Sequence, residues 1–350
     1  MPARHARCIN SHCTNSPSAC GRGGLRLFLS QDGVGVLGRH KICPYVTPHT
    51  TTQIGIFMTS AVKFDKVTYT YGRNTPFFRI ALDSVSLEVK SGAITGIIGH
   101  TGSGKSTLVQ HINGLLEPEQ GKVFVMDKDI WEDKKRLREV RYTAGLVFQY
   151  PEYQLFDETV KKDVAFGPKN MGLPEDEIDT RVKAAIRFVG LPETVLDKSP
   201  FELSGGQKRR VAIAGVIAMQ PQILILDEPA AGLDPRGREE ILGGIRAYQR
   251  ESGTTVIIVS HSMEDMARYS DNVIVMEDAK VLLSGTVKEV FSQGEVLDSI
   301  GLAVPQITRL LKRLAHAGLP VRQDIFTVEE ARQHLLEVLG EVENKSLTCI

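Results

Sequence analysis

From residue 58 onward, apolar and polar positions fall into short repeating patterns. Residues 62–69, Val-Lys-Phe-Asp-Lys-Val-Thr-Tyr, alternate with a period of two, which predicts a half-buried first strand. Residues 93–98 and 256–261 each carry an aliphatic run that predicts a short strand. Residues 223–226, Ile-Leu-Ile-Leu, suit a parallel strand buried on both faces. Residues 106–116 read as a helix, and 208–214 as the opening of another. After about residue 290 the pattern is helical: Ile307, Leu310, Leu311 and Leu314 share one helix face, and residues 327–339 repeat that spacing. Residues 1–57 show neither period, and their run 16–24, rich in Gly, Ser and Cys, resembles loop.

The 350 residues suffice for one large domain or two modest ones. No stretch approaches the ~18 consecutive apolar residues of a membrane-spanning helix. Lys+Arg and Asp+Glu both total 42, which argues against a protein that grips nucleic acid through its overall field. That balance hides an asymmetry. Residues 1–57 hold six basic residues (Arg4, Arg7, Arg22, Arg26, Arg39, Lys41) and the single acid Asp32, so the remainder is net negative by five. The same leader holds Cys8, Cys13, Cys20 and Cys43. The body keeps only Cys349, has no disulfide framework and reads as cytosolic. Upstream sequence preceding a natural start at Met58 is the expected reading of 1–57, with an Arg-rich transit peptide or a metal-binding or regulatory tail as the alternatives.

The strongest local signal is Gly99-His100-Thr101-Gly102-Ser103-Gly104-Lys105-Ser106-Thr107, a Gly, four residues, then Gly-Lys-Ser/Thr, set between a predicted strand and a predicted helix. Glycines let backbone N–H groups turn inward around phosphate oxygens, and the helix N-terminus adds a positive dipole end. Lys105 supplies a point charge to the outer phosphates, and the Ser106 hydroxyl is suited to ligate magnesium. Some 120 residues on, the run 223–226 ends in Asp227-Glu228. Carboxylates at the end of such a strand sit where doubly wound sheets place ligands. Asp227 is then the magnesium-side carboxylate, and Glu228 is placed to orient or deprotonate an attacking water.

Between these two motifs lies Leu203-Ser204-Gly205-Gly206-Gln207. With the phosphate loop before it and the aliphatic-Asp-Glu strand after it, this segment resembles the signature of the ATP-binding cassette ATPases. Gln149, in Leu146-Val-Phe-Gln149, stands where that family has its Gln loop, a contact to ATP and magnesium. Gly232-Leu-Asp234 matches the D-loop, His261 the switch histidine, and Tyr71 the aromatic that stacks on adenine, with Tyr69 as the competing platform. The resemblance covers roughly residues 60–290. It implies an α/β P-loop NTPase with a parallel core sheet, an antiparallel edge layer from the N-terminal strands, a helical subdomain at about 150–215 within a 58–290 cassette, and a helical C-terminal dimer-contact extension at 291–350. Glu228, His261 and Lys105 would be catalytic, and ATP and Mg²⁺ the cofactors. Ser204, Gly205, Gly206, Gln207 and Asp234 would meet the ATP held by a second cassette in a head-to-tail dimer.

About 95 residues separate Ser106 from Leu203, which fits a transporter cassette and leaves no room for long coiled coils. The segments Val147-Phe-Gln-Tyr-Pro-Glu-Tyr-Gln-Leu-Phe156, Asp163 to Gly172 and Ser199-Pro-Phe-Glu-Leu-Ser204 resemble the ATPase subunits of energy-coupling factor transporters, and the Tyr-Pro-Glu-Tyr-Gln form the second of their two paralogues. That likeness implies uptake of vitamins or trace metals, at the cytoplasmic face of the cell membrane. The partners would be a second ATPase subunit (heterodimer before homodimer), a transmembrane coupling protein and a small membrane-embedded substrate binder, with no nucleic acid. Tyr150, Pro151, Tyr153, Leu155 and Phe156 form an apolar cluster suited to receive a helix from the membrane partner. Ala230 is a departure, since relatives commonly carry Ser or Thr there, and it implies one D-loop hydrogen bond fewer. The alternatives are the ATPase of an importer fed by a soluble binding protein, and a soluble, non-transport cassette.

Overall fold

The computed structural model describes the chain from residue 60 to 347, with side chains as far as 340. The readings made of residues 1–57 lie outside that range.

The first half contributes strands β1 (Ser60–Tyr71), β2 (Arg79–Lys90) and β3 (Ile94–Ile98), helix α1 (Lys105–Ile112), strands β4 (Gln120–Val125) and β5 (Lys128–Asp129), helix α2 (Leu137–Thr143) and strand β6 (Ala144–Val147). Three helices follow, α3 (Val160–Asn170), α4 (Glu175–Phe188) and α5 (Gly205–Ile217). Strand β7 (Ile223–Asp227), helix α6 (Pro235–Ser252), strand β8 (Thr255–Val259), helix α7 (Met263–Tyr269) and strands β9 (Asn272–Glu277) and β10 (Lys280–Thr286) complete the sheets. Helices α8 (Val287–Phe291), α9 (Gly294–Ser299), α10 (Gln306–His316) and α11 (Val328–Leu347) end the chain.

Two sheets result. The larger runs β10-β9-β3-β8-β7-β6, parallel throughout except for β10 at its edge. The smaller is antiparallel, in the order β2-β1-β4-β5. The continuous aliphatic runs follow from this placement. Successive side chains of a strand point to opposite faces, so a strand covered on both sides needs no polar alternation. In β7, Leu224 and Leu226 enter the core on the helical side, whereas Ile223 and Ile225 enter the core shared with the antiparallel sheet. In β8, Val256 and Ile258 divide from Ile257 and Val259 in the same way. Helices α3, α4 and α5 pack on one another, and a separate small core of Leu311, Val321, Ile325, Ala331 and Val338 joins α10 to α11. The α/β architecture expected from the sequence is thereby borne out.

Two boundaries differ from expectation. Helix α1 stops at Ile112 rather than Leu116, because Gly114 turns left-handed at φ +68 and Leu115 N turns back to the Gln110 carbonyl (2.9 Å); the cap residue Asn113 donates its side-chain amide to the Ala144 carbonyl (2.5 Å). Strand β8 stops at Val259, so His261 stands two residues past its end.

Candidate active site

The C-terminal ends of β3, β7 and β8 border a cleft of about 260 Å³. This is the edge at which open parallel sheets place ligands. At Gly104 the loop after β3 runs so close to β2 that no side chain fits: a Cβ there, at φ +102, would strike the Ala81 carbonyl. Lys105 opens α1, and its buried Nζ donates to the carbonyls of Gly99 and His100, both at 2.7 Å, which leaves one N–H for an anion in the cleft. Burial pushes the Lys105 pKa down, and the Glu228 and Asp227 carboxylates pull part of it back.

Asp227 ends β7 and faces the same cleft as the Ser106 hydroxyl. Burial raises its carboxyl above the usual range, against the lowering by Ser106 and Lys105. This pair of hard oxygen donors, with Gln149 on the same cleft wall, fits Mg²⁺, which favours oxygen and keeps several places for water and phosphate. Among the described residues no cluster of three or more His, Cys, Asp or Glu suits a metal.

Glu228 holds a left-handed backbone at φ +52, uncommon for a non-glycine residue, and its N–H donates to Val259 at 3.0 Å. That turn brings its carboxylate to His261, whose Nδ1 lies 2.7 Å from Oε1. Burial raises the Glu228 pKa, and the bond and charge of His261 offset part of the rise. Tyr71 lines the cleft, 40% exposed, with its hydroxyl 3.4 Å from the Thr107 hydroxyl. Tyr69 is not in the cleft wall. It packs edge-on to Tyr71 and His111, joined to the core beneath.

Of the expected nucleotide residues, Thr101, Gly102, Gly104, Ser106 and Thr107 also line the cleft, whereas Gly99, His100 and Ser103 do not. Arg79 lines it without having been read from the sequence, where an arginine at the start of an exposed strand has no distinguishing signal. The hairpin register sets Arg79 opposite Tyr71, and its guanidinium donates to the Gly102 carbonyl (2.5 Å).

The signature segment stands elsewhere. Ser204 caps α5, accepting from Gln207 N (3.4 Å) while the Gln207 side chain accepts from Ser204 N (3.0 Å). None of these residues lines the cleft, and a Cβ on Gly205 or Gly206 would meet nothing within 4 Å. Local packing therefore does not require glycine at either position. Asp234 caps α6 through Gly237 N (3.0 Å) and is exposed.

One turn along α5, Arg209 ties that helix to two segments, the one after β6 and the one after β7. It grips Glu152 with two bonds, 2.6 and 3.0 Å, donates to the Ala231 carbonyl of the D-loop, and lies 5.8 Å from the ring centre of Tyr150. Burial pushes Glu152 up, but the Arg209 bonds outweigh it and hold the carboxyl below its ordinary range. Beyond this junction, Leu155, Phe156 and Phe166 line a groove of about 700 Å³ beside α3 and α5. Tyr150, Pro151 and Tyr153 are not part of its wall: Pro151 is buried, and Tyr153 is 85% exposed. Ala230 lies buried in the helical-side core, and the D-loop is held instead at its next carbonyl by Arg209.

Comparison with known proteins agrees with this geometry. The model of the family described as ABC transporter matches residues 82–231, and one described as AAA domain, putative AbiEii toxin, Type IV TA system, matches 197–266. The energy-coupling factor transporter ATP-binding protein EcfA2 of Clostridium tetani is 52% identical over 290 residues, 83% of this chain and all of that protein. Its counterpart in Clostridium acetobutylicum is 54% identical over 79% of this chain and 98% of that protein. Among solved structures, cbiO1 from Clostridium perfringens, part of the ABC transporter complex cbiONQ, is 43% identical with a TM-score of 0.63, covering 73% of this chain and 99% of that one. A dimeric post-hydrolysis state of the ATP-binding cassette MJ0796, bound to ADP and Pi, is 30% identical with a TM-score of 0.59, covering 65% and 98%.

Proposed function

This chain belongs to the energy-coupling factor transporter ATP-binding proteins, a branch of the ATP-binding cassette ATPases, and we propose that it is the ATP-hydrolysing subunit of an importer for vitamins or trace metals. We assign residues 58–290 to the cassette and 291–350 to a C-terminal extension that contributes to dimerisation. The chain works at the cytoplasmic face of the cell membrane, held there by a transmembrane coupling protein in the groove of Leu155, Phe156 and Phe166. A small membrane-embedded protein binds the cargo, and a second ATPase subunit completes the nucleotide sites.

The observation that carries this reading is a division of labour. One face holds a cleft with a lysine, two carboxylates and a histidine; another presents a glycine-rich helix N-terminus with open space above it. Each supplies what the other lacks, so two cassettes placed head to tail would close ATP between them. Tyr71 stacks on the adenine. Lys105 and the loop N–H groups hold the phosphates, and Ser204 and the N–H groups of Gly205 and Gly206 from the partner meet the terminal phosphate. Ser106, Asp227 and Gln149 hold Mg²⁺, which when bound neutralises charge on the outer phosphates. Glu228 takes the proton of the attacking water, and His261 fixes the Glu228 carboxylate through Nδ1 while facing the terminal phosphate.

Gly205→Asp isolates the second half of this arrangement. An acid in the first turn of α5 complements the helix dipole and meets no steric obstacle, so folding stability should move by about 0.5 kcal/mol or less. ATP affinity of the single chain should not change, while ATPase of the assembled complex falls about 10²- to 10³-fold, because a carboxylate side chain is set beside the N–H groups that face phosphate and repels it. Unchanged complex ATPase would remove the head-to-tail reading. The assignment as a whole is tested by purifying the chain from gently solubilised native membranes and identifying what accompanies it. A second cassette, a coupling protein and a small integral binder are expected. Two conventional permeases would move the chain to importers fed by a soluble binding protein, and a chain recovered wholly soluble and alone would end the transport reading.

A further inference from the structure

His100 sits in the phosphate loop, yet its imidazole turns away from the cleft. Nε2 lies 2.5 Å from the carbonyl of Ile300, two hundred residues away in the turn between α9 and α10. The carbonyl only accepts, so Nε2 carries the proton. That turn is rigidly placed. Leu297, Leu302 and Val304 are buried in the helical-side core, and Leu302 N and Gly301 N donate back to Leu297 (2.9 Å) and Asp298 (3.0 Å). Gly301 adopts φ +72, and a Cβ there would approach His100 Nε2 to 3.1 Å, so the ring fits against the turn because residue 301 is glycine. A second attachment lies close by, where Gln306 N donates to Glu264 Oε1 (3.4 Å) in the first turn of α7, just past His261.

We propose that His100 is a positioning residue that ties the phosphate loop to the C-terminal extension and so sets the affinity of the loop for ATP. The route is short. Ile300 fixes the imidazole of His100, and the backbone carbonyl of His100 accepts from Lys105 Nζ at 2.7 Å. The backbone at residue 100 also accepts from Ser103 N (3.1 Å), so the turn that presents loop N–H groups to phosphate closes on the tethered residue. A shift of the extension against the cassette is thus passed to the phosphate loop through one hydrogen bond. Between extension and loop lies a cavity of about 380 Å³, bordered by Thr101 and His261 on one side and Leu302 and Arg309 on the other, which gives such a shift room.

The tether rests on the reading of the cleft as an ATP site, and the experiment separates the two. Binding of a fluorescent ATP analogue to the full chain is measured for His100→Ala, His100→Gln, Gly301→Ala, the double variant His100→Ala/Gly301→Ala, and Lys105→Ala as reference. His100→Ala and Gly301→Ala should each weaken binding about fivefold, the size of one neutral hydrogen bond. His100→Gln keeps a side-chain N–H and should restore most of the affinity. The double variant should bind no more weakly than the weaker single, because both changes break the same contact. Additive losses, a glutamine that fails to restore, or unchanged affinity in both singles would overturn the tether. If Lys105→Ala also binds as tightly as the native chain, it is the ATP reading that has failed. Melting temperatures of all variants distinguish a lost tether from a lost fold, and Gly301→Ala probes the contact from the opposite side should His100→Ala not fold.

Discussion

Glu228→Gln should lower steady-state ATP hydrolysis by the assembled complex about 10²- to 10⁴-fold while ATP binding is retained, the range in which a positioned general base contributes. Glutamine keeps the shape and one acceptor for His261 Nδ1 but cannot take a proton from water. The strained turn at φ +52 is a backbone property that the substitution leaves in place. Stability should move the other way. Burial raises the Glu228 pKa, so the folded chain holds that proton more tightly than the unfolded chain does. Folded stability is therefore reduced wherever the group is ionised, and the reduction is relieved as pH falls through the raised pKa. At pH 7–8 the Gln variant should melt at or above the native temperature, with the difference closing on acidification. Native activity should in turn fall on the acid side above the ordinary carboxylate range, because the base must be ionised to act. Phosphate release and thermal melts across pH measure both. A variant with more than a third of native ATPase would remove Glu228 from the role of base.

The parts of the site that the sequence makes legible are those whose chemistry is contiguous. Nine residues in a row make the phosphate loop, and the both-face burial of β7 leaves a run of four aliphatics that ends where Asp227 and Glu228 must be. Tyr71 was separable from Tyr69 only in three dimensions, since both lie on β1 and the sheet decides which ring borders the cleft. Arg79, the His100–Ile300 contact and the Arg209–Glu152 pair were not legible at all. Each joins segments from 23 to 200 residues apart, and no local pattern says which partner the side chain will meet. The helix reading past Ile112 failed for a local reason instead: Asn113-Gly114 is itself a stop, with Gly114 left-handed at φ +68 and Leu115 N turned back to the Gln110 carbonyl (2.9 Å), and the apolar spacing beyond it masks that signal. Periodicity reports which face of an element is buried; it carries nothing about which distant carbonyl a side chain will find.

Arg209→Met should destabilise the chain by about 3–5 kcal/mol, the cost of leaving one member of a buried ion pair uncompensated. Only 4% of the Arg209 side chain and 15% of the Glu152 side chain are exposed, and the contact is bidentate. Restoring neutrality with Glu152→Leu in the same chain should recover most of that loss, since a well-packed apolar pair is often as stable as the ion pair it replaces. Function should not recover with it. Arg209 also holds the Ala231 carbonyl in the D-loop, and Glu152 follows Gln149 by three residues at the approach to the groove assigned to the coupling protein. In the double variant those loops are no longer tied to the signature helix. ATPase of the complex should then proceed without driving cargo uptake, a separation of hydrolysis from transport that a purely structural pair would not produce. Urea unfolding of the two single variants and the double gives the stability terms, and uptake per ATP hydrolysed in reconstituted vesicles gives the coupling. If the stabilised double variant transports with the native ratio, the Arg209–Glu152 pair serves the fold alone.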